Sequence, residues 1–450
     1  MEGFDINQRL ERIGFGKFNI IALLIVGLRD LSSASSVSIV AIIEPYLRCH
    51  WNLTYMTAAW LVLPEALTNI AGSIFIGKLS DTYGRRKTMI FTFILNSYLT
   101  LLYSLSSNLL LMAIIRGFIG LVSSSNMIAF TYAMEVLPLS KRKYMSFFKI
   151  SYFVGNGLGI LVGMVSLTYL TWRWSIVLAE TIPIALTAGF TFYLPESPRY
   201  LIAAEKFDEA EESLQIIAEM NGIDYGYISV PGESSGAGDV GQYDKKLQES
   251  EEQTSKREIA KRIAVVSFLQ FSGFLFSGTM RFGSMQFGEN SDISECGRCS
   301  TNMTYKYRWA MEVAILSSAI PLYWLIDKVA RKRTFTILLA YISACIVPFY
   351  WDIRGWPLII MMTLICVGFT AMNMLIFVYR AEILPTPIRA FGCGISEACG
   401  KAGVCLGQLI ALFVHHVDIY LSFGILHVIT TVGLIISITA LVETKHINLK

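Results

Sequence analysis

Long stretches of apolar residues with almost no charge punctuate this sequence, and they decide most of what the chain can fold into. About twelve such blocks follow one another, at 19–43, 55–77, 88–106, 109–134, 145–169, 174–194, 263–287, 307–326, 335–350, 357–379, 392–414 and 419–441. A helix needs roughly 20 apolar residues to cross the hydrocarbon core of a bilayer. Open strands are excluded, because lipid offers no partner to a backbone N–H or C=O. Barrel strands would alternate in polarity, and these blocks do not. A soluble chain carries about 25% charged residues; here the fraction is 16%, with 54% hydrophobic. A mean hydropathy of +0.53 agrees.

The first block is too long for a signal peptide and holds Arg29 and Asp30 at its middle, so it reads as the first span. Lys and Arg set the orientation. On the side of the N-terminus the short segments hold Arg9, Arg12 and Lys17, then Lys78, Arg85, Arg86 and Lys87, then Lys141, Arg142, Lys143 and Lys149, then Lys328, Arg331, Lys332 and Arg333. The opposite loops hold Arg48, Arg173, Arg298, Lys306, Arg308 and Arg354. Both termini are therefore expected in the cytosol. The sequons at Asn52 and Asn302 fall in loops that this rule puts outside.

The one long polar segment, 195–262, is expected on the cytosolic side. It begins with an amphipathic helix, in which Phe207, Ala210, Leu214 and Ile217 recur at helical spacing, and continues into a flexible linker around 231–238. It divides the chain into a half at 1–194 and a half at 263–450. The halves repeat each other. GKLSDTYGRRKT (77–88) matches LIDKVARKRT (325–334) at an offset of 246, aligning Asp81 with Asp327 and Arg85 with Arg331. YAMEVLP (132–138) matches YRAEILP (379–385) at 247, and Leu194 and Glu196 match Leu441 and Glu443 at the same offset. The expected fold is an all-α membrane protein of about twelve transmembrane helices in two six-helix, pseudo-symmetric bundles, a transporter architecture.

In the repeated loop Gly84 permits a left-handed or crowded backbone. Asp81 can cap the next helix or accept from Arg85 and Arg86. The basic cluster also anchors topology at an anionic leaflet. Ala330 replaces Gly84 in the second copy.

The loop that runs from Gly77 to Thr88 resembles the motif between spans two and three of the major facilitator superfamily. Arg116-Gly117-Phe118-Ile119-Gly120 resembles its span-four motif, and PESPRYL (195–201) the motif after span six of its sugar-porter and organic-ion branches. GFGKF (14–18), RCHW (48–51) and YRAEILPTPIRAFG (379–392) are similar to the synaptic vesicle glycoprotein 2-related proteins. The resemblance covers nearly the whole chain. It implies two bundles around a central cavity, alternating access, a latch role for Gly77, Asp81, Gly84, Arg85, Arg86, Asp327 and Arg331, and a synaptic-vesicle or plasma-membrane location. It also makes Glu135, Glu196, Arg199, Glu382 and Arg389 candidates for conformational switching. The large luminal domain of the glycoproteins is absent, since residues 288–306 form a short loop.

Charges inside apolar blocks are costly and mark functional candidates. They are Arg29, Asp30, Glu65, Arg116, Glu180, Glu397 and Lys401, with Glu312 nearer an outer surface. The resemblance links Arg116 to proton movement and Lys401 to anionic substrates; structural pairing is the competing role for each. Glu397 and Lys401 are i,i+4 neighbours, so they form a self-satisfied bridge, a substrate-gated switch or a coupling site. Gly155, Gly159 and Gly163 make a small-residue stripe for helix packing. Cys49, Cys296 and Cys299 lie in outer loops and suit one disulfide; no metal set is visible. Tyr103, Trp324, Tyr341, Tyr350, Trp351 and Trp356 read as interfacial aromatics, and Tyr379 as a residue that can line a cavity for an organic cation.

The expected function is a secondary transporter for a small organic solute, organic ions included, with a coupling proton or ion, and with lipid but no nucleic acid as a partner. No cofactor and no enzymatic motif is seen. The alternative is a vesicle-membrane receptor or trafficking protein that has the fold without transport.

Overall fold

A computed structural model describes residues 6–141, 150–224, 256–286, 329–351, 356–383, 389–414 and 419–442. The block expected at 307–326, with Glu312, the linker at 231–238, Asp327, Cys296, Cys299 and Asn302 lie outside the described residues.

Among the described residues every regular element is helical. The helices are α1 (Ile6–Ile13), α2 (Lys17–His50), α3 (Leu63–Tyr83), α4 (Arg85–Leu105), α5 (Leu109–Ser123), α6 (Asn126–Val136), α7 (Ile150–Tyr169), α8 (Trp172–Ile176), α9 (Ile182–Thr191), α10 (Pro198–Ala203), α11 (Phe207–Asn221), α12 (Lys256–Gln286), α13 (Arg331–Ile346), α14 (Trp356–Ile383), α15 (Arg389–Leu409) and α16 (Ile419–Thr439). Ten segments of the described residues are long and apolar enough to cross a membrane. α15 is a further long helix of the second half whose run includes Glu397, Lys401 and Gln408. The span boundaries differ from the sequence reading mainly at loops. α2 runs to His50 instead of 43, and α14 runs to Ile383 instead of 379. A π-helical turn, Val177–Thr181, joins α8 to α9.

The repeat in the sequence is a repeat in packing. α2 lies along α7, and α12 lies along α15. The crossings are set by glycines. A Cβ on Gly155 would meet the Leu31 carbonyl oxygen at 2.3 Å, and one on Gly159 that of Ser35 at 2.8 Å. In the second half Gly403 stands in the same way against Phe271 (2.4 Å) and Gly407 against Leu275 (2.1 Å). Only a residue without a side chain allows such backbone contact. Likewise α4 pairs with α9, and α13 with α16. The match extends to single hydrogen bonds. Tyr132 Oη donates to the Pro195 carbonyl at 2.9 Å, and Tyr379 Oη donates to that of Val442 at 2.8 Å. Both members of the second pair sit 247 residues beyond those of the first.

On the face that carries the N-terminus, α1 and α11 dock onto the first bundle. Leu10 and Ile13 share one apolar cluster with Leu214, Ile217, Val136 and Leu194. Asn221 accepts from the Phe18 amide and donates to Asn19. The amphipathic reading of α11 holds for Ala210, Leu214 and Ile217, which are buried; Phe207 is 41% exposed, at the first turn. A helix of 34 residues is about 50 Å long, so α2 ends on the opposite face. There Asn52 is exposed, with φ +49°.

Candidate functional site

The two halves enclose a central cavity of about 320 Å³. Asp30, Glu65 and Arg116 line it from the first half, and Gln270, Glu397 and Lys401 from the second. Toward the N-terminal face Phe130 of α6 packs edge-on against Phe377 of α14, with centroids 4.2 Å apart. Toward the opposite face Ala59 and Ala411, both buried, pack together. Both contacts join one half to the other.

On the first-half wall three helices and the π-helical turn bring the predicted charges together. Arg116 of α5 is 1% exposed and bonds Glu65 of α3 through Nη2–Oε2 at 2.7 Å. Its Nη1 stands 3.9 Å from Glu180 Oε2. Glu180 is fully buried in the π-helical turn, with the Ser36 side chain beside its carboxyl group. π-turns gather at functional positions because they redirect side chains within a helix. Arg29, 2% exposed, donates to the Ser123 carbonyl at 3.3 Å and lies over the Phe93 ring. Asp30 is turned to the cavity and Arg29 is not, as adjacent helical positions require.

Tyr103 is not an interfacial aromatic. It is wholly buried, with the Arg116 guanidinium 5.2 Å from its ring centroid. A ring beside a desolvated cation supplies cation–π attraction where water cannot. Tyr379 is likewise not a cavity residue; its hydroxyl is spent on Val442, whose amide also donates back to it at 3.2 Å. Tyr341, Tyr350 and Trp351 are exposed, as interfacial residues would be.

The second-half wall holds a network that sequence reasoning missed in part. Arg380 of α14, 1% exposed, bonds Glu397 Oε2 at 2.8 Å. Gln270 Nε2 donates to the same oxygen at 2.9 Å. Lys401 Nζ stands 3.8 Å from Glu397 Oε1 and 6.0 Å from the Phe274 ring centroid. The i,i+4 pair is therefore not a self-satisfied bridge, because Arg380 is the nearer cation. Arg380 falls just beyond the apolar block that ends at 379, but α14 continues to Ile383 and carries it. Gln270 is located by packing and not by the sequence repeat. The glycine crossings map α2 onto α12 at an offset of 240 (Leu31 to Phe271, Ser35 to Leu275), which puts Gln270 at the place of Asp30.

The repeated loop and its switch candidates form one cluster on the N-terminal face. Gly84, with φ +102° and ψ 160°, joins α3 to α4. Glu196 Oε1 accepts from the amides of Arg85 (2.9 Å), Arg86 (3.0 Å) and Ser197 (3.0 Å). A carboxylate at a helix N-terminus meets open N–H groups and the positive end of the dipole. The cap of α4 is thus Glu196, not Asp81. Asp81 accepts from Arg85 Nη1 at 2.6 Å, and Arg85 Nη2 lies 3.3 Å from Glu135. Ser197 Oγ donates to Glu135 Oε2 (2.6 Å), and Arg199 Nε to the Glu135 carbonyl (2.9 Å). Arg86 donates to the Phe192 carbonyl at 2.8 Å. Among the described residues these partners all belong to the first half and to 195–200. Gly77 has open space around it.

In the second copy Thr334 Oγ1 donates to the Ala330 carbonyl at 3.0 Å, as Thr88 does to that of Gly84 at 2.7 Å. Ala330 has φ −61°, so no glycine is needed there. Arg331 opens α13; Glu382 and Arg389 lie in α14 and α15, with side chains outside what is described. Cys49 is disulfide-bonded. The five other described cysteines are thiols. Among the described residues no cluster could hold a metal.

The chain as a whole is similar to known proteins. Over 98% of its length the chain is 24% identical to the synaptic vesicle 2-related protein of Xenopus laevis, covering 81% of it. It is 30% identical to SVOPL of Mus musculus across 219 residues, 48% of this chain and 44% of that one. The chain thus matches less than half the length of that relative. The proton:xylose symporter XylE bound to 6-bromo-6-deoxy-D-glucose superposes with a TM-score of 0.72 at 17% identity, over 95% of this chain and 97% of that chain. XylE in a partially occluded inward open conformation gives 0.72 at 16%, over 95% and 99%. At such identity the likeness is one of fold. The model of the family described as "Sugar (and other) transporter" matches residues 32–450, and the chain belongs to that family.

Proposed function

We propose that the chain is a secondary transporter that carries a small organic solute through the central cavity by alternating access, coupled to a proton. The observation that carries this reading is the cavity walled by both halves, with Phe130 against Phe377 on one side and Ala59 against Ala411 on the other. Separating the halves on either face opens one of these contacts and leaves the other in place. The two six-span units are 1–194 and 263–450, linked by 195–262. The contacts of Glu196 and Glu135 give the Gly84 loop the means to report that rocking to the segment after the sixth span.

Coupling rests on Arg116. It is shared between Glu65 and Glu180, and a proton on either carboxyl passes the guanidinium to the other. Because the second carboxyl is within reach, such a redistribution costs less than the roughly 3–5 kcal/mol of leaving a buried charge unpaired. The name of the fold neighbour, a proton:xylose symporter, supports the coupling ion. We place both termini in the cytosol and the protein in a vesicle or plasma membrane, in keeping with the Lys/Arg bias and the synaptic vesicle 2-related relatives. Cys49 would then pair on the outer side with Cys296 or Cys299. We read a carrier and not an enzyme, because what the cavity offers is charge pairing and apolar contact.

The test is uptake into proteoliposomes of organic anions, organic cations and sugars, with and without a pH gradient. The expected result is accumulation of one class driven by the gradient, abolished by Arg116→Ala in protein that inserts normally. No accumulation of any class by folded protein would replace this reading with the receptor one.

A further inference from the structure

The two faces of the cavity are closed by different means. Between the halves α3 packs along α15, and toward the face opposite the N-terminus Ala59 packs on Ala411. Toward the N-terminal face it is side chains of α6 and α14 that meet. Phe130 stands edge-on to Phe377, and Arg380 Nη2 donates to Met127 Sδ at 3.7 Å. The Arg380 guanidinium also lies 4.3 Å from the Phe377 ring centroid. One arginine thus touches both parts of this closure.

The same guanidinium is anchored in the second-half wall. Its Nη1 bonds Glu397 Oε2 at 2.8 Å and Gln270 Oε1 at 3.3 Å, and Ser396 Oγ donates to that Gln270 oxygen at 2.9 Å. These anchors belong to the second half, whereas Met127 belongs to the first. A thioether is a weak acceptor, so the bond across the halves is the weakest of the set. Arg380 is almost completely desolvated, and its charge is balanced by Glu397, with Lys401 3.8 Å from the other carboxylate oxygen. A buried guanidinium without a carboxylate is costly. Arg380 lies three residues from the end of α14 at Ile383, on the N-terminal face. Opening the halves on that face parts it from Met127 and brings water to it.

We propose that Arg380 is a positioning residue that ties closure of the N-terminal face to the charge on Glu397. An ionised Glu397 holds the guanidinium in the wall, where it braces Phe377 against Phe130 and reaches Met127. A neutral Glu397 strands a buried charge, and the halves part on this face to hydrate it. Glu397 lines the cavity, so whatever neutralises it there acts on the closure through Arg380 without touching either ring. The inference rests on the reading that the cavity opens alternately on its two faces.

The experiment follows Cys366, a thiol of α14 that lines the cavity. The full chain is placed in proteoliposomes sorted by orientation on a tag at the N-terminus, and a membrane-impermeant maleimide is added on one face or the other. Labelling at Cys366 is read by mass spectrometry, and its rate follows the population open on the face that meets the reagent. Glu397→Gln is expected to raise the rate roughly tenfold or more from the N-terminal face and not from the other. Adding Arg380→Met to it removes the stranded charge, and the rate returns to within about twofold of that of the unsubstituted chain. A merely structural role for Arg380 would make the double variant looser than the single one. Met127→Gln offers Nη2 an amide oxygen in place of the thioether and is expected to slow labelling from the N-terminal face roughly threefold. Met127 is half-buried on the cavity wall, so this variant carries the test where Glu397→Gln fails to fold. The inference is overturned if Glu397→Gln leaves the rate unchanged or raises it equally from both faces, if the double variant stays fast, or if Met127→Gln labels as fast as the unsubstituted chain. Those failures leave gradient-driven uptake, and with it the transport reading, untouched. A closure that obeys Glu397 in a protein that takes up nothing keeps this inference and sinks that reading.

Discussion

The two halves of the molecule share their scaffold down to single hydrogen bonds and differ in where they put charge. In the first half one buried guanidinium, Arg116, faces two carboxyls, Glu65 and Glu180. In the second one carboxylate, Glu397, faces two cations, Arg380 and Lys401. Packing is held by backbone-to-backbone glycine contacts, which a substitution cannot relax, so duplication leaves its trace there. A charge needs only one partner within reach, and the partner can come from a different helix in each half. That contrast teaches where the function has diverged, and it can be broken experimentally.

The largest effect should come from removing a carboxylate. Glu397→Gln leaves Arg380 buried with no second carboxylate within salt-bridge reach among the described residues, and should cost about 3–5 kcal/mol. Glu65→Gln leaves Arg116 with Glu180 only 3.9 Å away, and should cost visibly less. Unfolding of both variants in detergent gives the comparison. Equal losses would mean that Glu180 does not compensate, and the two-carboxyl account of the first half would go.

Much of this was legible in the sequence. The blocks from Phe18 onward had to be helices because lipid leaves no alternative, and the offsets of 246 and 247 announced the duplicated bundle. Asp81 accepts from Arg85 as the loop sequence allowed, whereas the meeting of that pair with Glu135 and Glu196 comes from packing. What the sequence could not show is which side chain wins a shared partner. Glu397 and Lys401 are ideally spaced along α15, yet Arg380 takes the carboxylate from another helix, seventeen residues earlier in the chain. Tyr103 reads as an end-of-span aromatic, because only tertiary packing brings the apolar cluster around its ring and Arg116 over it.

A middle-sized effect separates the two loop copies. Gly84 has φ +102°, and a Cβ there would meet Glu196 Oε2 at 2.5 Å. Gly84→Ala should therefore cost about 1–3 kcal/mol from backbone strain, and loosen the cap that Glu196 gives α4. Ala330→Gly should cost under about 1 kcal/mol, since only chain entropy changes. Hydrogen exchange at the amides of Arg85 and Arg86 would report the first loss directly. Unchanged protection in Gly84→Ala would show that Glu196 can move aside, and the glycine would then matter for something other than this contact.

The smallest effect tests the match between Tyr132 and Tyr379. Each hydroxyl donates to a carbonyl 63 residues on, but the acceptor residue is Pro195 in one half and Val442 in the other. Proline has no N–H, so Tyr132 has no amide to accept from there. Tyr379 takes a second bond, from the Val442 amide at 3.2 Å. Tyr132→Phe should cost about 1 kcal/mol, and Tyr379→Phe roughly 0.5–1 kcal/mol more, since a second bond goes with the hydroxyl. Val442→Pro should remove that excess, because it deletes the amide that the extra bond needs. If Tyr379→Phe then still costs more than Tyr132→Phe, the difference lies in packing around the two rings. The repeat would in that case be looser at these tyrosines than the shared hydrogen bond makes it look.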